Sequence, residues 1–141
     1  MISVIDLQTE TKLQKKLFRE FAIELSKQIS DVHDRNFTIA FVSDNRMKEL
    51  NSFFRGKDST TDVLSFPHEP DEFDPDTANL GDIVISAEQA ARQAEENGLS
   101  RENEIKQLIL HGVLHLCGYN HETDNGEMNA RELELRDKLG I

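Results

Sequence analysis

IKQLILHGVLHLCGYNH, residues 105–121, decides how this chain must fold. Ile105, Leu108, Ile109, Leu110, Val113, Leu114 and Leu116 make a helix that is apolar nearly all round. Such a helix has no solvent face, so it belongs inside the protein with the other elements arranged about it. Ser100 stands before it as a cap. Gly118 stands after it, where glycine takes the left-handed conformation that ends helices without steric cost.

Working outward, ISVIDLQ (2–8) begins with period-two alternation and reads as a strand. From Thr11, the positions Leu13, Leu17, Phe18, Phe21, Leu25 and Ile29 recur at helical spacing, and Thr11 with Gln14 resembles a capping box. FTIAFVS (37–43) is a buried strand, and Met47, Leu50, Phe53 and Phe54 mark a short helix beginning at Ser43 or Asp44. DVLSF (62–66) is a strand ended by Pro67. HEPDEFDPDTAN (68–79), with Pro70 and Pro75, reads as a solvated acidic loop.

LGDIVIS (80–86) is the fourth strand, followed by an alanine-rich helix capped by Ser86 with Gln89 and closed by Gly98. A last helix runs from about Asp124 to Leu139 on Met128, Leu135 and Leu139. The order predicts an α+β protein: an α/β/α-type sandwich on a mixed four-stranded sheet, with the 62–86 segment as an antiparallel hairpin.

Residues 1–141 are expected to form a single domain. Hydrophobic content of 37% and charged content of 30% fit an ordinary globular protein. No apolar run reaches the length of a membrane span, and the first residues lack the pattern of a secretion signal. The lone Cys117 allows no intrachain disulfide, so a cytoplasmic location is expected.

Three of the five histidines fall at positions 111, 115 and 121. His111 and His115 are four residues apart and stack on one helix face, the spacing two imidazoles need to share one ion at about 2.0–2.1 Å. A third ligand six residues on requires the chain to turn, and Gly118 supplies that turn so that His121 can swing back. A lone histidine on an apolar helix is ordinarily a satisfied core residue. Three of them, with a turn glycine between the second and third, point to a metal. Three protein ligands leave a position open, as in catalytic rather than structural zinc sites. Zinc is the first choice, although imidazole also suits nickel, copper and iron. Cys117 lies on roughly the opposite side of the helix and is assigned to packing. His33 and His68 are assigned to loops.

H-x-x-x-H-x-x-G-x-x-H is the spacing of metzincin peptidases, which carry glutamate after the first histidine. That glutamate moves the proton in peptide hydrolysis, and its place here is Gly112. The ligand spacing is kept and the proton carrier is gone. What remains is a Lewis acid able to polarise an oxygen, equipment suited to phosphodiester cleavage. Such chemistry wants a guanidinium to grip phosphate. Arg55, in the basic turn Arg55-Gly56-Lys57 beside Phe53 and Phe54, is a candidate, although by itself this stretch reads as a solvated loop.

HGVLHLCGYNH, RGKDSTTDVLSFP and LGDIVIS together resemble the YbeY family of metal-dependent endoribonucleases, in order across residues 51–121. The resemblance implies that His111, His115 and His121 bind a metal, usually zinc, and that Arg55 is a functional residue near it in a cleft. It further implies cleavage of single-stranded RNA, maturation of small-subunit ribosomal RNA, ribosome quality control, and ribosomal components as partners. Asn120 departs from the family's aspartate before the third histidine. An asparagine accepts a hydrogen bond but brings no charge.

A net charge of −11 is awkward for an RNA-cleaving protein. Much of it is local, however, on the proline loop and on the final helix (Glu127, Glu132, Glu134, Asp137). Arg35, Arg46, Lys48, Arg55 and Lys57 are expected to gather before and around the cleft. Weak, salt-sensitive binding of free RNA follows. Two other readings stay open on the sequence: a metallohydrolase of another kind, such as a peptidase with a base from elsewhere (Glu122), and a non-catalytic ribosome-assembly factor with a structural metal. Asp62, Glu122 and Asp124 are the candidate bases.

Overall fold

The structure, a computed structural model, describes residues 2–73 and 78–141. Its elements are β1 (Ser3–Asp6), α1 (Lys15–Gln28), a 3-10 turn (Ser30–Val32), β2 (Asn36–Val42), α2 (Asp44–Arg55), β3 (Val63–Pro67), β4 (Asn79–Ser86), α3 (Ala87–Asn97), α4 (Arg101–Leu116) and α5 (Glu127–Leu139). The expected acidic loop falls partly outside the described residues, at 74–77.

The strands form one mixed sheet in the order β1-β2-β4-β3. β1, β2 and β4 run parallel, and β3 pairs antiparallel with β4, Leu64 opposite Val84. This is the predicted α+β architecture, with the hairpin where it was expected. Alternation along β4 sends its side chains to two different cores. Ile83 and Ile85 join Phe18, Phe41, Ile109 and Leu114 in the larger one, which takes up α1, α4 and α5. Val84 joins Val42, Met47 and Leu64 in the smaller one, beneath α2.

Helix α4 is as buried as its composition demands: Ile105, Ile109, Leu110, Val113 and Leu114 have no exposed surface. It lies very close to the sheet. A Cβ at Gly112 would fall 2.8 Å from Ile83 Cγ2, inside any real contact distance. The end of α4 is a Schellman motif: the Gly118 amide donates to the His115 carbonyl and the Tyr119 amide to that of Leu114, with Gly118 at φ +96°.

The caps expected at Ser86 and Ser100 form, and Ser43 caps α2 as well. The hydroxyls of Ser43, Ser86 and Ser100 accept from the amides of Arg46, Gln89 and Asn103. The Thr11 cap does not, because Gln8 closes residues 6–11 into a turn of their own. Its side chain accepts from the Thr11 amide and donates to the Thr11 carbonyl and to Asp6, so α1 starts only at Lys15. At α5, Asp124 accepts from the amides of Gly126 and Met128, and the helix begins at Glu127 rather than at about Asp124 as expected. No described helix is long and apolar enough to cross a membrane.

Candidate metal centre

α4 delivers His111 and His115 from its last two turns, and the Schellman turn brings His121 back to them. The ring centroids stand 4.7 Å apart for His111–His115, 5.4 Å for His111–His121 and 5.3 Å for His115–His121. One ligand atom from each ring falls within 4.8 Å of those of the other two. The Nε2 atoms of His111 and His115 are 3.1 Å apart. Two nitrogens bound tetrahedrally to one zinc at ~2.0–2.1 Å stand roughly 3.3 Å from each other, so His111 and His115 fit such an ion as they stand, and the exposed His121 would close in on it.

The side of His111 away from the other rings is held as well. Its Nδ1 faces Glu132 Oε1 of α5 at 2.5 Å, and Arg136 donates to Glu132 Oε2 at 3.2 Å. An N–H at Nδ1 donates to that carboxylate and leaves Nε2 with the lone pair a metal needs. Glu132 is only 7% exposed, so it is no part of the acidic exterior to which its sequence position assigned it. Burial would raise its pKa, but the hydrogen bond and charge of His111 and the charge of Arg136 outweigh that and hold it below the usual range. Burial, then the neighbouring His111 and His121, push the His115 pKa down and favour the neutral ring that ligation requires. The sequence did contain a signal for Glu132: it shares a helical stripe with the buried Met128 and Leu135.

The histidines open on a cleft of about 770 Å³ between the end of α4 and the edge strand β3. Arg55 and Phe54 of α2 line it, as do Asp62, Asn120 and Glu122. Arg55 is the last residue of α2, with Gly56 left-handed behind it, rather than a turn residue. Asn51, buried beneath, donates to the Ser59 carbonyl at 2.8 Å and pins the loop that leads on to β3. Of the five cations expected around the cleft, only Arg55 lines it. Arg46 pairs with Glu49 and Lys48 with Asp58.

The Asn120 side chain accepts from the Glu122 amide at 3.0 Å and so shapes the turn carrying His121, work that needs an acceptor oxygen but no charge. Asp124 does not line the cleft. Its hydrogen bonds to the Gly126 and Met128 amides hold its pKa down, which makes it a poor base. Burial pushes the Cys117 thiol up to about 11, as befits a side chain packed against the core. His33 lies exposed beside Asp34, and His68 is likewise outside the cleft lining.

Fold and site together define a class: α+β proteins with three imidazoles, able to hold a metal ion, at the end of a buried helix and open to a cleft. A family model described as Endoribonuclease YbeY matches residues 3–140. Endoribonuclease YbeY of Nautilia profundicola is 46% identical over 126 residues, covering 86% of this chain and 87% of the relative. That of a Sulfurovum species is 35% identical over 143 residues, covering 100% of this chain and 94% of its own. The solution structure of TM1509 from Thermotoga maritima superposes with a TM-score of 0.66 at 30% identity, over 99% of this chain and 89% of that one. The chain belongs to the YbeY endoribonuclease family and is a metal-dependent ribonuclease.

Proposed function

We propose that this ribonuclease is zinc-dependent and specific for single strands, and that it acts in the cytoplasm in small-subunit ribosomal RNA maturation and ribosome quality control, alongside ribosomal components. In this reading His111, His115 and His121 hold the zinc and Arg55 is the catalytic residue. One observation carries it: three imidazoles converge within 4.8 Å on the wall of a cleft that Arg55 also lines.

Bound there, zinc supplies a Lewis acid that polarises a phosphoryl oxygen. Arg55 carries a planar guanidinium. Its fork of donors holds the phosphate and offsets the negative charge that gathers as phosphorus becomes five-coordinate. Asp62 and Glu122 are the carboxylates of the cleft lining among the described residues, and in this reading one of them takes the proton of the attacking oxygen. Asp62 is steadied by the Val63 amide, which donates to it at 2.8 Å, whereas Glu122 is exposed. A 2′,3′-cyclic phosphate on the product would identify the RNA's own 2′-hydroxyl as nucleophile, and a linear phosphate water.

Arg55→Ala tests the assignment. Cleavage of an unstructured RNA should be abolished, while metal content and melting temperature stay nearly unchanged, since Arg55 is exposed and buries nothing. Full activity in this variant, or a parallel loss of fold and activity, would contradict the role. Chelator should abolish wild-type cleavage, and added zinc should restore it.

A further inference from the structure

Two of the largest exposed apolar side chains stand next to each other at the end of α2. Phe53 is 82% exposed and Phe54 57%. They are not isolated. The Phe53 and Phe54 rings meet edge-on at 4.8 Å, and Phe54 meets Phe66 of β3 edge-on at 5.0 Å. Phe54 and Phe66 both line the histidine cleft, and Arg55 follows Phe54 directly. An aromatic row therefore runs from open surface into the cleft, beside its guanidinium.

We propose that Phe54, propped by Phe66 and extended outward by Phe53, is a stacking platform for an unpaired nucleobase of the RNA strand whose phosphate enters the cleft. The inference rests on the endoribonuclease reading and adds a binding subsite to it. A nucleotide offers a flat π-face and an anionic phosphate side by side, and this helix end offers an aromatic ring and a guanidinium side by side. Bases in a duplex are stacked on their neighbours and present no free face, whereas an unpaired base presents two. The platform thus selects single strands and tolerates any base, because every base has a π-face. A protein docked on this row would cover the cleft through which substrate must pass, which favours RNA as the occupant.

The test uses the metal-loaded enzyme and a short unstructured RNA, comparing wild type with Phe54→Leu and Phe54→Trp. Leucine keeps apolar contact with Phe66 but has no π-face, so KM should rise about 5- to 150-fold with kcat little changed, and tryptophan should restore it. Removing one base at a time from the RNA should reproduce the loss at one position, and on that abasic strand Phe54→Leu should add nothing. Wild-type KM in Phe54→Leu, or equal sensitivity to its loss on intact and abasic strands, would overturn the platform and leave the row to a protein partner. Wild-type enzyme that cut no RNA would instead sink the ribonuclease reading beneath it.

Discussion

Position 112 is glycine because α4 lies on Ile83, whose Cγ2 would be 2.8 Å from any added Cβ. Ile83 is β-branched and fully buried, so the crowded methyl has nowhere to turn. The missing glutamate is therefore a consequence of packing: a side chain here would run into the sheet, away from the cleft. Gly112→Ala gains about 1 kcal/mol of helix propensity but incurs overpacking of about 1–3 kcal/mol, so a net loss of up to about 2 kcal/mol is expected in chemical denaturation. A more stable variant would show that α4 can lift off the sheet freely. Glu132 would act on a bound metal through His111, whose Nδ1 it faces. Glu132→Gln should weaken zinc affinity about 10- to 100-fold in a chelator competition, and unchanged affinity would refute that support. The convergence of the three histidines was legible because local spacing encodes it. Glu132 was not, because its partner lies 21 residues away across a helix contact, and only its place between Met128 and Leu135 hinted at burial.

Among the elements, α2 matters most for the site because its last turn carries Phe54 and Arg55. Its first turn is anchored by Asp44, which accepts from the Ser86 hydroxyl at 2.6 Å and from Thr60 and Arg92, while its amide donates to Glu88. Burial would raise the Asp44 pKa, but these donors and the charge of Arg92 outweigh it and lower the value. A carboxylate whose folded pKa is depressed stabilises the fold above its unfolded value of 3.8, and that stability is lost as pH falls through the folded one. Asp44→Asn should therefore unfold at lower denaturant than wild type at pH 7, and the gap should close below about pH 4. An equal gap at pH 3 would mean that the carboxylate charge contributes nothing. Serine caps and the period-two strands were readable from sequence because each is a local rule. The start of α1 was not, because the Gln8 side chain captured Thr11 before it could cap.

For the molecule as a whole, the balance of charge is the quantity to explain. At −11, with Arg55 the one Lys or Arg among the described residues lining the cleft, the protein has little with which to displace counterions from RNA. Affinity for a short free strand should be weak and should fall further with salt. Tight binding indifferent to ionic strength would contradict this. The mixed four-stranded sheet and its antiparallel hairpin could be expected from the order of elements, whereas the strand order and the two unequal cores emerge only in the packed structure. The cleft was expected only through the family resemblance, since the end of α2 and β3 are distant in sequence from the end of α4 and meet it only when the sheet and helices pack.

The metal itself is the most direct test of the account, by elemental analysis of the purified protein. Wild-type protein should carry one zinc per chain and should lose that ion when any one of His111, His115 or His121 is replaced by alanine. Wild-type protein that cleaves RNA while carrying no metal, or full metal content with both His111 and His115 replaced, would contradict it.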